Sequence, residues 1–269
     1  MLRIKVGNLA VDKYEPKVKK HSYPLLFIHG AGGTSRYLTN YLLFFAGRGW
    51  TSYAVNLRGH FPSEPDAALA QATIEDYIAD VERVMQVQDI RNCALIGHSM
   101  GGLIAQKAAM NLQSVKALIA ICSAPPSGVM LEMTNDLPYP EAIMHSMWGL
   151  MNLEPVTLPY FMAEKTVLNN IEEAERMKIF PMFVAESLMV GYQVAQGVYV
   201  DPQRISAPKL VIGCLLDTMA PESMERKLAE FLGADYISYA QFAHLPMLER
   251  GWEQSATDIG DWLILNVPG

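Results

Sequence analysis

A Gly-x-Ser-x-Gly run, Gly97-His98-Ser99-Met100-Gly101, is followed at once by a second glycine, Gly102. A serine hydroxyl becomes a nucleophile only when a base takes its proton, and the base needs an acid to orient it. Strand, sharp turn and helix is the context in which this pattern delivers such a serine. Cys93 to Ile96 reads as a buried parallel strand, and Leu103 to Leu112 has helix-forming composition, so that context is present. The turn forces Ser99 into a tight backbone conformation, and its neighbours two residues away must lack Cβ atoms; Gly97 and Gly101 do. The pattern alone arises by chance in roughly one chain in ten of this length. Its partners have to decide.

The base and the acid should sit in loops at the carboxyl ends of later strands, the edge to which the turn brings Ser99. Six histidines compete. His21 lies in a polar loop, His29 and His60 end strands that precede the serine, His98 points away from the Ser99 hydroxyl, and His145 lies in a helical region. His244, in Gln241-Phe242-Ala243-His244-Leu245-Pro246 between the last strand and the last helix, has the required position. For the acid, Asp217 follows the strand Leu210 to Leu216 directly, whereas the strand ending at Cys122 has no Asp or Glu until Glu132. The order serine, acid, histidine is itself diagnostic among the unrelated folds that use such triads.

The elements that must position these groups follow in sequence. Leu2 to Val6 and Leu9 to Tyr14 flank Gly7-Asn8 as a hairpin. Leu25 to Ile28 is a continuous apolar strand ending in His29-Gly30-Ala31-Gly32-Gly33, a glycine-rich loop without the lysine or the spacing of a phosphate cradle. Thr39 to Ala46 is a helix and Thr51 to Leu57 a strand. Ala72 to Gln88 has helical apolar spacing, with Thr73 and Asp76 as an N-cap signal. After the serine turn and its helix comes Val115 to Cys122. The alternation predicts a mostly parallel sheet covered on both faces. It stops after Pro126, and Val129 to Tyr199 shows only helical segments broken by prolines, with nine of the 16 methionines. Strand and helix patterns resume at Lys209 to Leu216, Glu222 to Leu232, Asp235 to Tyr239 and Trp252 to Leu265. We therefore expect an α/β core over residues 1–128 and 204–269, and a helical cap over 129–203, inserted after the sixth strand.

Composition bounds the partners. With 51% hydrophobic residues the chain can bury a sizeable core, and a net charge of −7 without a basic run argues against nucleic acid. Charged residues interrupt the first 13 positions, and no run of about 18 apolar residues offers a membrane span. Three cysteines, an odd number in or beside buried strands, read as free thiols, which makes a cytoplasmic protein the expectation.

The motifs His29-Gly30-Ala31-Gly32, Asn56-Leu57-Arg58-Gly59-His60, Gly97 to Gly102, Gly213 to Asp217 with Pro221, and Ala243 to Glu249 together resemble the α/β-hydrolase superfamily, over nearly the whole chain apart from the cap. Family members often carry Asp where Asn56 stands and Gly where Phe61 and Ala243 stand; none of these departures removes a catalytic group. The resemblance implies that Ser99 attacks a carbonyl, His244 takes its proton, Asp217 orients the imidazole, and the N–H groups of Ala31 and Met100 bind the oxyanion, with no metal or organic cofactor. It implies a small to medium apolar carboxylic ester as substrate, or a lactone or thioester. The same constellation also serves carbon–carbon bond hydrolases, amidases and cofactor-free haloperoxidase-like enzymes, and a ligand receptor can retain it. Met144, Met147, Trp148 and Phe161, from the methionine- and aromatic-rich cap, are expected to line the pocket.

Overall fold

The computed structural model describes residues 1–132 and 152–267. Its centre is β3 (Leu25–Ile28), four apolar residues buried on both faces as a strand inside a parallel sheet must be. β4 (Ser52–Asn56) pairs with it in parallel on one side and β5 (Cys93–His98) on the other. β6 (Val115–Ile121), β7 (Lys209–Cys214) and β8 (Asp235–Tyr239) continue the parallel order beyond β5. On the far side the hairpin of β1 (Leu2–Val6) and β2 (Leu9–Tyr14) joins β4 antiparallel. The eight-stranded order is therefore β1-β2-β4-β3-β5-β6-β7-β8. Strand order reverses about β3, and a crevice opens outside the carboxyl ends of β3 and β5, where open α/β sheets bind ligands.

Helices follow from the same apolar spacing. α1 (Thr39–Arg48), α2 (Ile74–Val87), α3 (Met100–Asn111), α7 (Glu222–Leu232) and α8 (Glu253–Asn266) alternate with the strands; α1 packs beside α8 and α2 beside α3. Thr73 caps α2 in a full capping box, its hydroxyl accepting from the Asp76 N–H while the Asp76 carboxylate accepts from the Thr73 N–H. Between β6 and β7 the described residues form α4 (Tyr160–Ala163), α5 (Glu173–Ile179) and α6 (Leu188–Gln196). This region also holds an isolated antiparallel bridge between Val156 and Glu186, which the helical reading of the sequence did not anticipate. No described helix is long and apolar enough to cross a membrane.

Candidate active site

β5 runs without interruption into the turn at Ser99, which adopts φ 55° and ψ −124°, a strained conformation for a residue with a Cβ. Its surroundings over-determine it. The Ser99 N–H donates to Ile121 O at 3.0 Å, and its carbonyl accepts from Gly102 N–H at 2.9 Å and Ala124 N–H at 3.0 Å. A Cβ on Gly97 would overlap the Gly101 carbonyl, and one on Gly101 would overlap the carbonyls of Ile28 and His29. Close backbone approach thus requires both glycines, and α3 begins directly behind the serine at Met100.

Asp217 and His244 arrive from the loops after β7 and β8. His244 Nδ1–H donates to Asp217 Oδ2 at 2.8 Å, and both residues are buried. The other carboxylate oxygen of Asp217, Oδ1, accepts from the N–H groups of Met219 at 2.8 Å and Ala220 at 2.9 Å, which fixes its rotation. The histidine loop is stapled by Glu249, whose carboxylate accepts from Ala243 N–H at 2.8 Å and Leu245 N–H at 3.0 Å, one on each side of His244. Burial raises the carboxyl pKa of Glu249, opposed by these donors and by Asn170. Ser99 and His244 line one narrow cleft with Ala31, Leu245, Val167 and Phe183.

His98, His29 and His60 hold this edge together, each with its protons set by its neighbours. His98 Nε2–H donates to the His244 carbonyl at 2.7 Å, and its Nδ1 accepts from the Tyr37 hydroxyl at 3.0 Å. That hydroxyl in turn accepts from the Gly30 N–H. A buried chain of hydrogen bonds therefore links the backbone of His244 to the loop after β3. Burial first, then the neighbouring His244 ring, keeps His98 neutral, its pKa well below the usual imidazole value. His29 donates from Nδ1 to Gly30 O at 2.9 Å and accepts from Leu57 N–H at Nε2, and burial with the neighbouring His60 holds its pKa down at about 3. His21, half-buried in its polar loop, stacks on Trp50 with ring centroids 3.4 Å apart.

Among the described residues, one group has metal-ligand chemistry: Cys122, Asp217 and His244, with ligand atoms within 4.8 Å of one another. Asp217 and His244 already bond to each other, and burial pushes the Cys122 thiol well above its usual range, so the trio has no ready thiolate. All three cysteines are free and buried. A wider, shallow hollow lies beside Arg91 and Ser114, just before β5 and β6, at the opposite edge of the sheet from the serine.

Met144, Met147 and Trp148 lie outside the described residues. Phe161, on α4, is 41% exposed and is not among the cleft residues; Val167 and Phe183 come from the same inserted region and are. Asn56 is buried, accepting from Ser35 N–H at 2.8 Å and donating to Ala10 O at 3.0 Å, so it ties β4 to β2 and to the chain leaving the β3 loop.

A sheet that reverses about β3, a strained serine after β5 and an acid–histidine pair after β7 and β8 define the hydrolase class of α/β topology. Residues 25–257 match the alpha/beta hydrolase family, and the chain belongs to it. Protein ABHD8 of Bos taurus is 23% identical over 232 residues, covering 84% of this chain and 52% of that protein, so the chain spans about half the length of the relative it matches. Among solved structures, a thermophilic esterase from Thermogutta terrifontis superposes with a TM-score of 0.75 at 18% identity, covering 100% of both chains. A monoacylglycerol lipase from Paleococcus ferrophilus gives 0.74 at 18% identity, covering 96% of this chain and 99% of that one.

Proposed function

We propose that the protein is a serine hydrolase that cleaves a small to medium apolar carboxylic ester through an acyl-enzyme on Ser99. The observation that carries the reading is the 2.8 Å hydrogen bond from His244 Nδ1 to Asp217, beside a cleft that Ser99 and His244 share. Because Nδ1 holds its proton against the carboxylate, Nε2 is left with a free lone pair, the form a general base needs. Ser99 attacks the ester carbonyl as His244 accepts its proton. Asp217 stabilises the imidazolium, which then protonates the leaving alcohol. The backbone N–H groups of Ala31 and Met100 receive the oxyanion, each contributing on the order of 3 kcal/mol. Water activated by His244 releases the acid. Every step uses groups of this chain.

The apolar wall supports the substrate class: Val167, Phe183 and Leu245 flank the serine, and apolar lining favours an acyl chain over a charged group. The esterase and lipase folds it resembles support the same choice. In this reading residues 129–203 form a cap on a core of residues 1–128 and 204–269, and Met144, Met147 and Trp148 add to the wall. Turnover of p-nitrophenyl esters from acetate to laurate, with Ser99→Ala as control, tests it. Wild-type turnover should exceed that of the variant by about 10³-fold or more. Equal rates for a folded Ser99→Ala would overturn the acyl-enzyme.

A further inference from the structure

The loop that carries Ala31 closes a turn of its own, Gly33 N–H donating to Gly30 O at 2.9 Å, and is braced from outside at Gly32. Gly32 has φ +61°, and a Cβ there would sit 2.8 Å from the Val184 carbonyl. Both sides of Gly32 are bonded to the chain inserted between β6 and β7. Val184 N–H donates to Gly32 O at 2.7 Å, and the Gly32 N–H donates to Glu186 Oε2 at 2.9 Å. Glu186 is itself held from four directions. Its Oε2 also accepts from His60 Nε2–H at 3.1 Å, and its Oε1 accepts from the Tyr77 hydroxyl at 2.5 Å and Ser187 N–H at 2.6 Å. His60 Nδ1–H donates to Arg58 O at 2.9 Å, and Arg58 is locked onto α2 through Asp80. With an acceptor at each ring nitrogen, His60 carries both protons, and its charge balances that of Glu186. A bare carboxylate this near a developing oxyanion would oppose catalysis; a paired one does not.

We propose that Glu186 is a positioning residue for the reaction, fixing the Ala31–Gly32 peptide and thereby aiming the Ala31 N–H at the oxyanion. The inference rests on the acyl-enzyme reading above. It gives the inserted segment a part in the chemistry besides shaping the pocket: the amide on β3's loop is aimed by a side chain from another part of the fold. Misplacing an oxyanion donor weakens the transition state while leaving ground-state binding alone, so kcat falls and KM stays.

The test compares two variants of similar volume. Glu186→Gln keeps an oxygen to accept from Gly32 and His60 when its amide nitrogen takes the place of Oε1, where the Tyr77 hydroxyl can turn to accept and only the Ser187 N–H loses its partner; the reverse orientation would orphan two donors. Glu186→Met cannot accept, and His60 can shed its proton. On p-nitrophenyl butyrate, Glu186→Met should lose about 10²-fold in kcat with KM within about threefold, and an alkyl trifluoromethyl ketone, which forms the tetrahedral adduct on serine, should bind correspondingly more weakly. Glu186→Gln should recover most of both. A folded Glu186→Met with kcat within threefold of wild type overturns the inference, as do equal losses in the two variants. Should Glu186→Met not fold, Glu186→Asp decides: its shorter carboxylate keeps the charge beside His60 but retracts from Gly32, and a wild-type kcat overturns the proposal. Wild-type turnover that does not depend on Ser99 would instead overturn the parent reading.

Discussion

Replacing Asp217 by asparagine changes one atom, and the surroundings dictate how that atom must be placed. Oδ1 faces two backbone donors, the Met219 and Ala220 N–H groups, at 2.8 and 2.9 Å. Turning the new NH2 toward them would set three donors against one another, at about 1–3 kcal/mol for each orphaned group. Turning it toward His244 costs less, because the imidazole can move its proton to Nε2 and accept at Nδ1. The protein takes the second course, and the base is then blocked at the nitrogen that must receive the Ser99 proton. By analogy with the same substitution in a serine protease, kcat should fall on the order of 10⁴-fold, or about 5.5 kcal/mol in the barrier. Stability should change far less, by about 1–2 kcal/mol, since three charge-assisted hydrogen bonds become neutral ones but none is lost and both backbone donors stay paired. Ester turnover gives the rate, thermal unfolding gives the stability, and the nitrogen shifts of the His244 ring report which nitrogen is protonated. A folded Asp217→Asn with kcat within tenfold of wild type, or one whose ring keeps its proton at Nδ1, would refute the reasoning.

Tyr37→Phe removes the hydroxyl shared by Gly30 N–H and His98 Nδ1, both buried; urea unfolding should show a loss of about 2–6 kcal/mol from two orphaned groups. Gly97→Ala places a Cβ on the backbone of Gly101 and should cost at least about 1–3 kcal/mol, read as a lowered Tm. The Glu186–His60 pair should make stability depend on pH in a definite sense. Burial pushes the Glu186 carboxyl up, but His60, Tyr77 and the Gly32 N–H bring its pKa down to about 2, so its contribution is complete above about 4.5 and fades as pH falls toward 2. Burial pushes His60 down, but Glu186, the Arg58 carbonyl and Asp80 more than offset it, so its contribution is complete below about 6.5 and fades as pH rises through its elevated pKa. The pair should therefore stabilise most between about pH 4.5 and 6.5, with His29 neutral beside it and Arg58 charged throughout. His60→Gln should flatten the alkaline decline in Tm, and an unchanged profile would count against the pairing.

What the sequence disclosed was local or topological. Ser99 sits in a turn whose glycines are forced by its own neighbours, and Asp217 and His244 follow strands whose apolar runs are plain, so all three could be placed at one edge before any coordinates. Thr73 and Asp76 announced the start of α2 for the same reason. Glu186 gave no such signal. It lies 154 residues from Gly32 and 126 from His60, and a lone glutamate in a helical, proline-broken stretch has no periodicity that marks it as buried. His60 read as a loop residue because its partner was invisible. Glu249 stood within a recognisable motif, yet its grip on both flanks of His244 exists only once the loop has folded back. Phe161 is expected in the pocket wall as an aromatic in an apolar region; on α4 it is 41% exposed, while Val167 and Phe183 line the cleft.

The insertion also shapes how the chain is made. β6 ends at Ile121 and its parallel neighbour β7 begins only at Lys209. At about 5–20 residues per second, a ribosome leaves the outer edge of β6 unpaired for several seconds. That edge belongs to Val115-Lys116-Ala117-Leu118-Ile119-Ala120-Ile121, which carries a single charge. An open, apolar edge of this kind is a template for pairing with other chains. The nascent protein thus passes through an interval of sticking hazard that its mature form conceals, and slower translation of residues 122–208 should lower the soluble yield.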